Sequence, residues 1–374
     1  MIKAGILGGG QLGRMLLQTA ANYPVETYIL ESDPNCPAAK LCHQFVLGNI
    51  NDYHDVLNFG RGLDVITIEI ESVNIEALEQ LEKEGICIIP SPAAIRTIRN
   101  KVSQKLFYSE NHIPTSPFVI TNKREELKHH PGFIPGVHKI GMGGYDGRGI
   151  QVIETDANIS MGFDVPAVFE KKVNIKKEIS IIVAVGTDGK MAVYPPVDMI
   201  FDPHLNLLSY QICPAGISKN ISQKAEAIAI KVVKELKSAG LFAVELFISD
   251  NDQIFVNETA PRVHNSGHHT IEAAYCSQFD MMWRILLRYP LGNPQLILPA
   301  AIVNLVGETN ASGLANYEGL EQVLAIENVF VHIYGKKETR PGRKMGHVTI
   351  LAENETILLH LANKVRHTLF VRAK

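Results

Sequence analysis

Two glutamates, Glu245 and Glu258, carry the most chemistry in this 374-residue chain. They lie in Leu241-Phe-Ala-Val-Glu-Leu-Phe-Ile248 and Ile254-Phe-Val-Asn-Glu-Thr-Ala260, two apolar runs flanking the polar turn Ser249-Asp-Asn-Asp-Gln253. That pattern predicts an antiparallel hairpin. A hairpin centred between Asn251 and Asp252 sets Glu245 opposite Glu258, so two like charges share one face of an apolar ribbon and repel. Burying an unpaired carboxylate costs on the order of several kcal/mol. A divalent cation between the two removes that cost, and hard oxygen donors suit Mg²⁺. The plainer alternative is a strand edge with both acids solvated.

Arg262, His264 and Asn265 follow Glu258 closely. His268 and His269 add imidazoles, but no cysteines accompany them, which argues against zinc. Upstream, Gly141-Met-Gly-Gly-Tyr-Asp-Gly-Arg-Gly149 follows a strand-like run containing Lys139. Such a loop closes its amides over a polyphosphate while the lysine supplies a point charge. It lacks the Gly-Lys-Ser/Thr ending of a Walker loop. Gly8-Gly-Gly-Gln-Leu-Gly13, with Glu31 downstream, fits the dinucleotide fingerprint. Its physical content is only a helix N-terminus open to a phosphate, which any ribose phosphate satisfies. Glu69 and Glu71 lie two apart on an expected strand. They face one way, either toward sugar hydroxyls or as ordinary edge acids. Phe169-Glu-Lys-Lys-Val-Asn174 with Glu178 reads as a strand entering a linker, where exposed backbone can meet an adenine edge. Lys336-Lys-Glu-Thr-Arg-Pro-Gly-Arg-Lys344 presents Lys337, Arg340 and Arg343 around a Pro-Gly turn shaped for bidentate phosphate binding.

The elements positioning these residues follow from hydrophobic periodicity. Residues 2–7, 26–30, 63–71 and 86–89 read as strands alternating with helices such as 11–22, which predicts a parallel sheet covered on both faces. A helix over 92–111 leads into His112-Ile-Pro-Thr-Ser-Pro117, a linker. Further on, a helix capped by Ser222 and closed by Gly240 is expected, then strands 302–306 and 329–334 and a helix over 355–367. A net charge of −3 gives no basic footprint for nucleic acid. Five cysteines without zinc spacing fit reduced thiols in the cytoplasm. No apolar run is long enough to span a membrane or serve as a signal peptide.

Four segments together resemble one family: Gly9-Gly-Gln-Leu-Gly-Arg-Met15, Gly143-Gly-Tyr-Asp-Gly-Arg-Gly149, Asn257-Glu-Thr-Ala-Pro-Arg-Val-His-Asn-Ser-Gly-His268 and Arg340-Pro-Gly-Arg-Lys-Met-Gly-His347. They are similar to the 5-(carboxyamino)imidazole ribonucleotide synthetases, within the ATP-grasp superfamily. The resemblance implies an α/β ATP-grasp architecture. Its parts are a Rossmann-like domain over 1–111, a small α+β lid over 112–185, a central subdomain over 186–292 and a β-rich subdomain over 293–374. It implies an ATP-dependent carbon–nitrogen ligase that carboxylates 5-aminoimidazole ribonucleotide with bicarbonate in purine biosynthesis, and a cytoplasmic homodimer.

Carried over by motif, ATP meets Lys101, Lys139, the lid residues Gly144, Tyr145, Asp146, Gly147, Arg148, Gly149 and Ile150, then Glu170, Lys171, Lys172, Val173, Glu178, Asn257 and Glu258. Mg²⁺ falls to Glu245 and Glu258. The aminoimidazole ribonucleotide falls to Gly10, Gln11, Leu12 and Glu69, its amine to Asp146, and its phosphate to Lys337, Arg340 and Arg343. Arg262, His264 and Asn265 surround bicarbonate or carboxyphosphate. Two positions depart from the commoner family pattern. Phe201 stands where some members have a histidine, and Ile68, Ile70 and Ser72 replace aromatic residues and an asparagine beside Glu69 and Glu71. Other readings are a different ATP-grasp ligase, which the 262–268 segment disfavours, a nicotinamide dehydrogenase, which leaves the acid pair unexplained, and an inactive binding module.

Overall fold

The alternating strands and helices at the N-terminus fold into a five-stranded parallel sheet in the computed structural model, which describes residues 1–144, 149–201 and 208–374. The sheet order is Gln44–Leu47, Val25–Glu31, Ile2–Leu7, Val65–Ile68, Cys87–Ile88. Leu12, Met15 and Leu16 pack below Ile6 and Ile29. On the other face Val56, Leu78 and Leu81 pack against Leu30 and Ile66. With both faces covered, the buried stretches Ala4–Leu7 and Val65–Ile68 are apolar apart from Thr67. Chain order reverses between Ile2–Leu7 and Val65–Ile68, which opens a crevice beyond their C-terminal ends. The Gly8 turn and Glu69 leave the two strands there.

A large antiparallel sheet carries the rest. Its path runs Ile254–Ala260, Gly240–Ser249, Ile175–Val185, Val197–Phe201, Leu208–Cys213, Ala300–Val306, Lys344–Leu351, Val329–Ile333, with Met191–Val193 paired to Ile175–Val185. Alternation along its central strands sends Ile179, Ile181, Val183, Val244 and Leu246 toward the helix Lys219–Glu235. Ile182, Ala184 and Ala243 go to the opposite face. There the helix Gln278–Leu286 wedges between this sheet and the N-terminal domain, and Trp283 Nε1 donates to Leu16 O at 2.7 Å. One continuous core thus fixes the N-terminal domain to the large sheet.

The lid is a four-stranded sheet ordered Phe118–Thr121, Ala167–Lys171, Gly136–Ile140, Ile150–Ile153. It ends at Lys171, because Ile175–Val185 pairs with Gly240–Ser249 in the large sheet. The boundary expected at 185 therefore moves back to the 172–174 connector. The large sheet also runs through the division expected at 292, since Ala300–Val306 pairs with Leu208–Cys213.

Local expectations shift for local reasons. The helix expected over 92–111 is two helices, Pro92–Arg99 and Lys101–Glu110. Asn100 adopts an extended backbone and its side chain accepts from Val102 N at 2.8 Å and Ser103 N at 3.2 Å. Ser218, not Ser222, caps the helix Lys219–Glu235, and the hydroxyl of Ser222 donates to Glu226. Gly240 does not close that helix. It opens the next strand at φ 142°, packed against Pro90. The strand expected over 63–71 stops at Ile68, so Glu69 and Glu71 sit in the following loop and turn to different partners.

Asn100 links fold to site, because Lys101 is the first residue of the helix it caps. Asn100→Ala is expected to lower stability by about 1 kcal/mol, read from urea unfolding; no change within error would remove the cap from this account.

Candidate active site

Glu245 and Glu258 face each other across the hairpin. The turn is centred one half-step earlier than the sequence suggests, with Ile248 opposite Ile254 and Leu246 opposite Val256. A bulge at Asn257 then restores the register. Without that extra residue Glu245 would lie opposite Asn257 and Glu258 would turn away. The bulge brings Asn257 into the same cleft, where its Oδ1 accepts from Lys139 Nζ at 2.9 Å and its Nδ2 lies 3.5 Å from Glu245 Oε2. The acids are not equivalent. Lys101 pairs with Glu258 and holds its carboxyl below the usual range, whereas burial and the neighbouring Glu258 and Glu178 push Glu245 up. Burial raises Glu178, on the strand next to that of Glu245, to about 7.

A buried charge group stands behind them. Glu170, on lid strand Ala167–Lys171, contacts Lys139 Nζ through Oε1 at 2.9 Å and Lys105 Nζ through Oε2 at 3.0 Å. Its Oε2 also accepts from Ser116 Oγ. Lys105 additionally donates to Thr115 Oγ1 at 2.5 Å. Burial pushes Lys105 down to about 8; Glu170, although burial alone would raise it, is drawn down to about 2 by Lys139 and Lys105. Two lysines share this one carboxylate, so Glu170 balances only one of their two charges.

Beyond the hairpin, Arg262 makes a two-pronged contact with Glu71, Nε to Oε2 at 2.6 Å and Nη2 to Oε1 at 3.2 Å. His264 Nε2 lies 3.6 Å from Glu245 Oε1, and burial with the Arg262 and Lys344 charges pushes its ring down to about 3, so it is neutral. Asn265 is spanned by Gln211 and Asn304, at 3.0 and 3.1 Å. The adjacent imidazoles are stacked: His268 on His347 and His347 on His332, with ring centroids 4.6 and 4.4 Å apart. Among the described residues no three His, Cys, Asp or Glu side chains converge as metal ligands.

The glycine turn is occupied from within the chain. Glu69 accepts from Gly10 N at 2.9 Å and Gly13 N at 3.0 Å, and Glu31 accepts from Gly9 N at 3.0 Å. A carboxylate thus fills the position where the dinucleotide reading puts a phosphate. The glycines admit it, since a Cβ on Gly8 would lie 2.5 Å from Glu69 Cγ, and Gly8 itself has φ 101°. The Gly10 amide is committed to Glu69, and Leu12 packs into the core. The basic loop reaches the same crevice: Lys337 Nζ donates to Asn35 Oδ1 at 3.1 Å, and Arg14 lies against Gly335. Arg343 Nη1 donates to Glu338 O at 2.7 Å, and Arg340 is exposed.

Lys101, Lys139, Glu170, Glu178, Glu245, Asn257, Glu258 and His264 therefore meet at one cleft, with Arg262 at its edge. Lys172 turns its ammonium to Glu154 on the lid, and Lys171 is exposed at the end of the strand Ala167–Lys171. Gly144 and Gly149 follow and precede lid strands, and Ile150 opens the strand Ile150–Ile153. Tyr145, Asp146, Gly147 and Arg148 lie outside the described residues. Phe201 ends its strand with no contact assigned to it. Sequence reasoning passed over Lys105, one helical turn beyond Lys101, although that spacing was readable. It also missed Ser116 and Gln278, whose partners are remote in sequence.

Comparison with known proteins covers the length of the chain. The ribonucleotide synthetase preATP-grasp domain matches residues 1–99, the ATP-grasp domain residues 106–279, and the phosphoribosylaminoimidazole carboxylase C-terminal domain residues 300–360. A chloroplastic phosphoribosylaminoimidazole carboxylase from Vigna aconitifolia is 35% identical over 94% of this chain, which spans 64% of that longer protein. N5-carboxyaminoimidazole ribonucleotide synthase from Brucella melitensis is 34% identical, covering 92% of this chain and 95% of that one. The crystal structure of N5-carboxyaminoimidazole ribonucleotide synthetase from Thermotoga maritima superposes with a TM-score of 0.91 at 36% identity, over 100% of both chains. The Aspergillus clavatus synthase, in complex with ADP and 5-aminoimidazole ribonucleotide, gives 0.87 at 31% identity, over 97% of this chain and 99% of that one.

Removing Lys105 tests the buried charge group. Lys105→Met is expected to destabilise the fold by about 3 kcal/mol, the usual order for breaking a buried pair. Glu170 is held below its free value, so its contribution is full above about pH 4.5 and is lost as pH falls toward about 2. The gap between variant and wild type should narrow over that window, measured by urea unfolding; a pH-independent gap would point to packing alone.

Proposed function

This chain belongs to the N5-carboxyaminoimidazole ribonucleotide synthase family of ATP-dependent ligases, and we infer from that membership that it carboxylates 5-aminoimidazole ribonucleotide in purine biosynthesis. ATP, bicarbonate and the ribonucleotide give the N-carboxy ribonucleotide, ADP and phosphate, by way of carboxyphosphate. The observation that carries the reading is the acid pair Glu245 and Glu258 set beside Lys101, Lys139 and His264 in one cleft.

Bicarbonate is a poor electrophile, and transfer of the γ-phosphoryl group gives it a good leaving group. Lys101 and Lys139 hold the phosphates and spread the charge that builds up during transfer. Arg262 and His264 line the bicarbonate side, and Arg262 is aimed by its two-pronged contact with Glu71. Carboxyphosphate is quickly lost to water, so closure of the lid strands over the cleft is part of the chemistry. Asp146 is the residue we assign to the amine.

The donor set fits Mg²⁺. Two opposed carboxylates, one of them pushed up by burial and by its neighbour's charge, offer hard oxygens that would hold a dication and relieve their repulsion. Bound there, Mg²⁺ would neutralise phosphate charge. Lys337, Arg340 and Arg343, with Arg14 nearby, are the cations we assign to the ribonucleotide phosphate. The reading extends to a cytoplasmic homodimer; all five cysteines are free thiols, and among the described residues no helix is long and apolar enough to cross a membrane.

The decisive assay is ADP release with bicarbonate and 5-aminoimidazole ribonucleotide omitted in turn. ADP release that ignores the ribonucleotide would sink the assignment. Glu258→Gln is expected to abolish Mg²⁺-dependent ADP formation while leaving ribonucleotide binding, followed by calorimetry, mostly intact. For Arg343→Ala the KM for the ribonucleotide should rise with little change for ATP, and an unchanged KM removes that residue from the phosphate site.

A further inference from the structure

The ring of His264 is held from behind by groups that leave it one hydrogen-bonding state. Ser266 N lies 3.3 Å from His264 Nδ1. A backbone N–H can only donate, so Nδ1 carries a lone pair and no proton. Ser266 Oγ is 2.9 Å from the same nitrogen and 2.8 Å from Ser180 Oγ. With Nδ1 as acceptor, the directions follow: Ser266 donates to the ring and Ser180 donates to Ser266. Both serines are fully buried, at 0% exposure, so solvent does not compete for these bonds. Ser180 sits directly opposite Glu245 in the large sheet, so the relay starts on the face that carries the acid pair. The one remaining ring proton is on Nε2, which faces Glu245 Oε1 at 3.6 Å.

The backbone of His264 is fixed as tightly. Gln278 Oε1 accepts from His264 N at 2.8 Å, and Gln278 Nε2 donates to His264 O at 2.7 Å. One side-chain amide thus pairs with both main-chain groups, as a neighbouring strand would. Gly267 makes room for it, since a Cβ there would lie 2.6 Å from Gln278 Oε1.

We propose that Ser266, backed by Ser180, is a positioning residue that locks His264 in its Nε2–H tautomer, so that His264 serves carboxyl transfer as a fixed hydrogen-bond donor and not as a base. Its Nε2–H would meet an oxygen of bicarbonate or carboxyphosphate and stabilise negative charge as the carbon–oxygen bond to phosphate breaks. The ring neither gives up nor takes a proton. The identity of that anion rests on the family reading above; the tautomer rests only on Ser180, Ser266 and His264.

The test reads the tautomer directly, by ¹⁵N NMR of the histidine-labelled whole protein, with His264→Gln to assign the signal. The expected signature is a bare Nδ1 and a protonated Nε2. Ser266→Ala keeps only the longer backbone donor, so it should give a mixture of tautomers. It should also form roughly fivefold less carboxylated product per ADP released, with the KM for ATP within about twofold of wild type, as expected from losing one hydrogen bond. Ser180→Ala should move both readouts in the same direction by less, and it covers the case in which Ser266→Ala folds poorly. His264→Gln keeps an N–H near the Nε2 position and should retain most product formation, whereas His264→Ala should lose roughly 100-fold. A proton on Nδ1, or a His264→Gln enzyme as inactive as His264→Ala, overturns the proposal. If wild type releases no ADP in response to the ribonucleotide, the family reading fails while the NMR result still decides the tautomer.

Discussion

Everything at this site depends on two like charges being held face to face. Glu245 and Glu258 are set opposite each other by strand pairing, and the arrangement survives because Lys101 compensates one of them. The register that creates it hangs on one extra residue. Asn257 interrupts the ladder, turns Glu258 back toward Glu245, and joins the cleft itself as the acceptor for Lys139. The bulge is therefore a device for the site and no defect of the sheet.

Around that pair the chain aims its cations with carboxylates. Glu170 serves Lys139 and Lys105 together, and Glu71 holds both prongs of Arg262. Such pairing fixes long side chains at little entropic cost on binding, because their freedom was already given up in folding. At Glu170 one carboxylate balances only one of two lysine charges. At the N-terminal turn the logic is reversed. Glu69 satisfies helix amides that in dinucleotide-binding proteins face a phosphate, which converts a binding motif into a brace between two strand ends.

Much of this was legible in the sequence because it is local. Periodicity marked the parallel sheet, the 241–260 hairpin and the helix near 355–367. Misreadings arose where one side chain redirected the backbone. Asn100 splits a helix by capping its own successor, and Ser218 takes the cap that Ser222 equally resembled. The lid boundary was misplaced because a strand's sheet membership depends on its partner. Ile175–Val185 finds that partner in Gly240–Ser249, far along the chain.

The sequence by itself determined which groups are present and which share a strand face, since side-chain direction alternates with a fixed period. Its ordered motifs determined the family, whereas the meeting of the two carboxylates needed the bulge at Asn257, which regular alternation does not supply. Only the tertiary structure decided what each charged group touches. Glu69 against Gly10 and Gly13, Glu71 against Arg262, Lys105 against Glu170, and Ser180 through Ser266 to His264 are all pairings between elements. No local rule specifies them, because they exist only once the two sheets, the lid and the helix Gln278–Leu286 have packed around a common core.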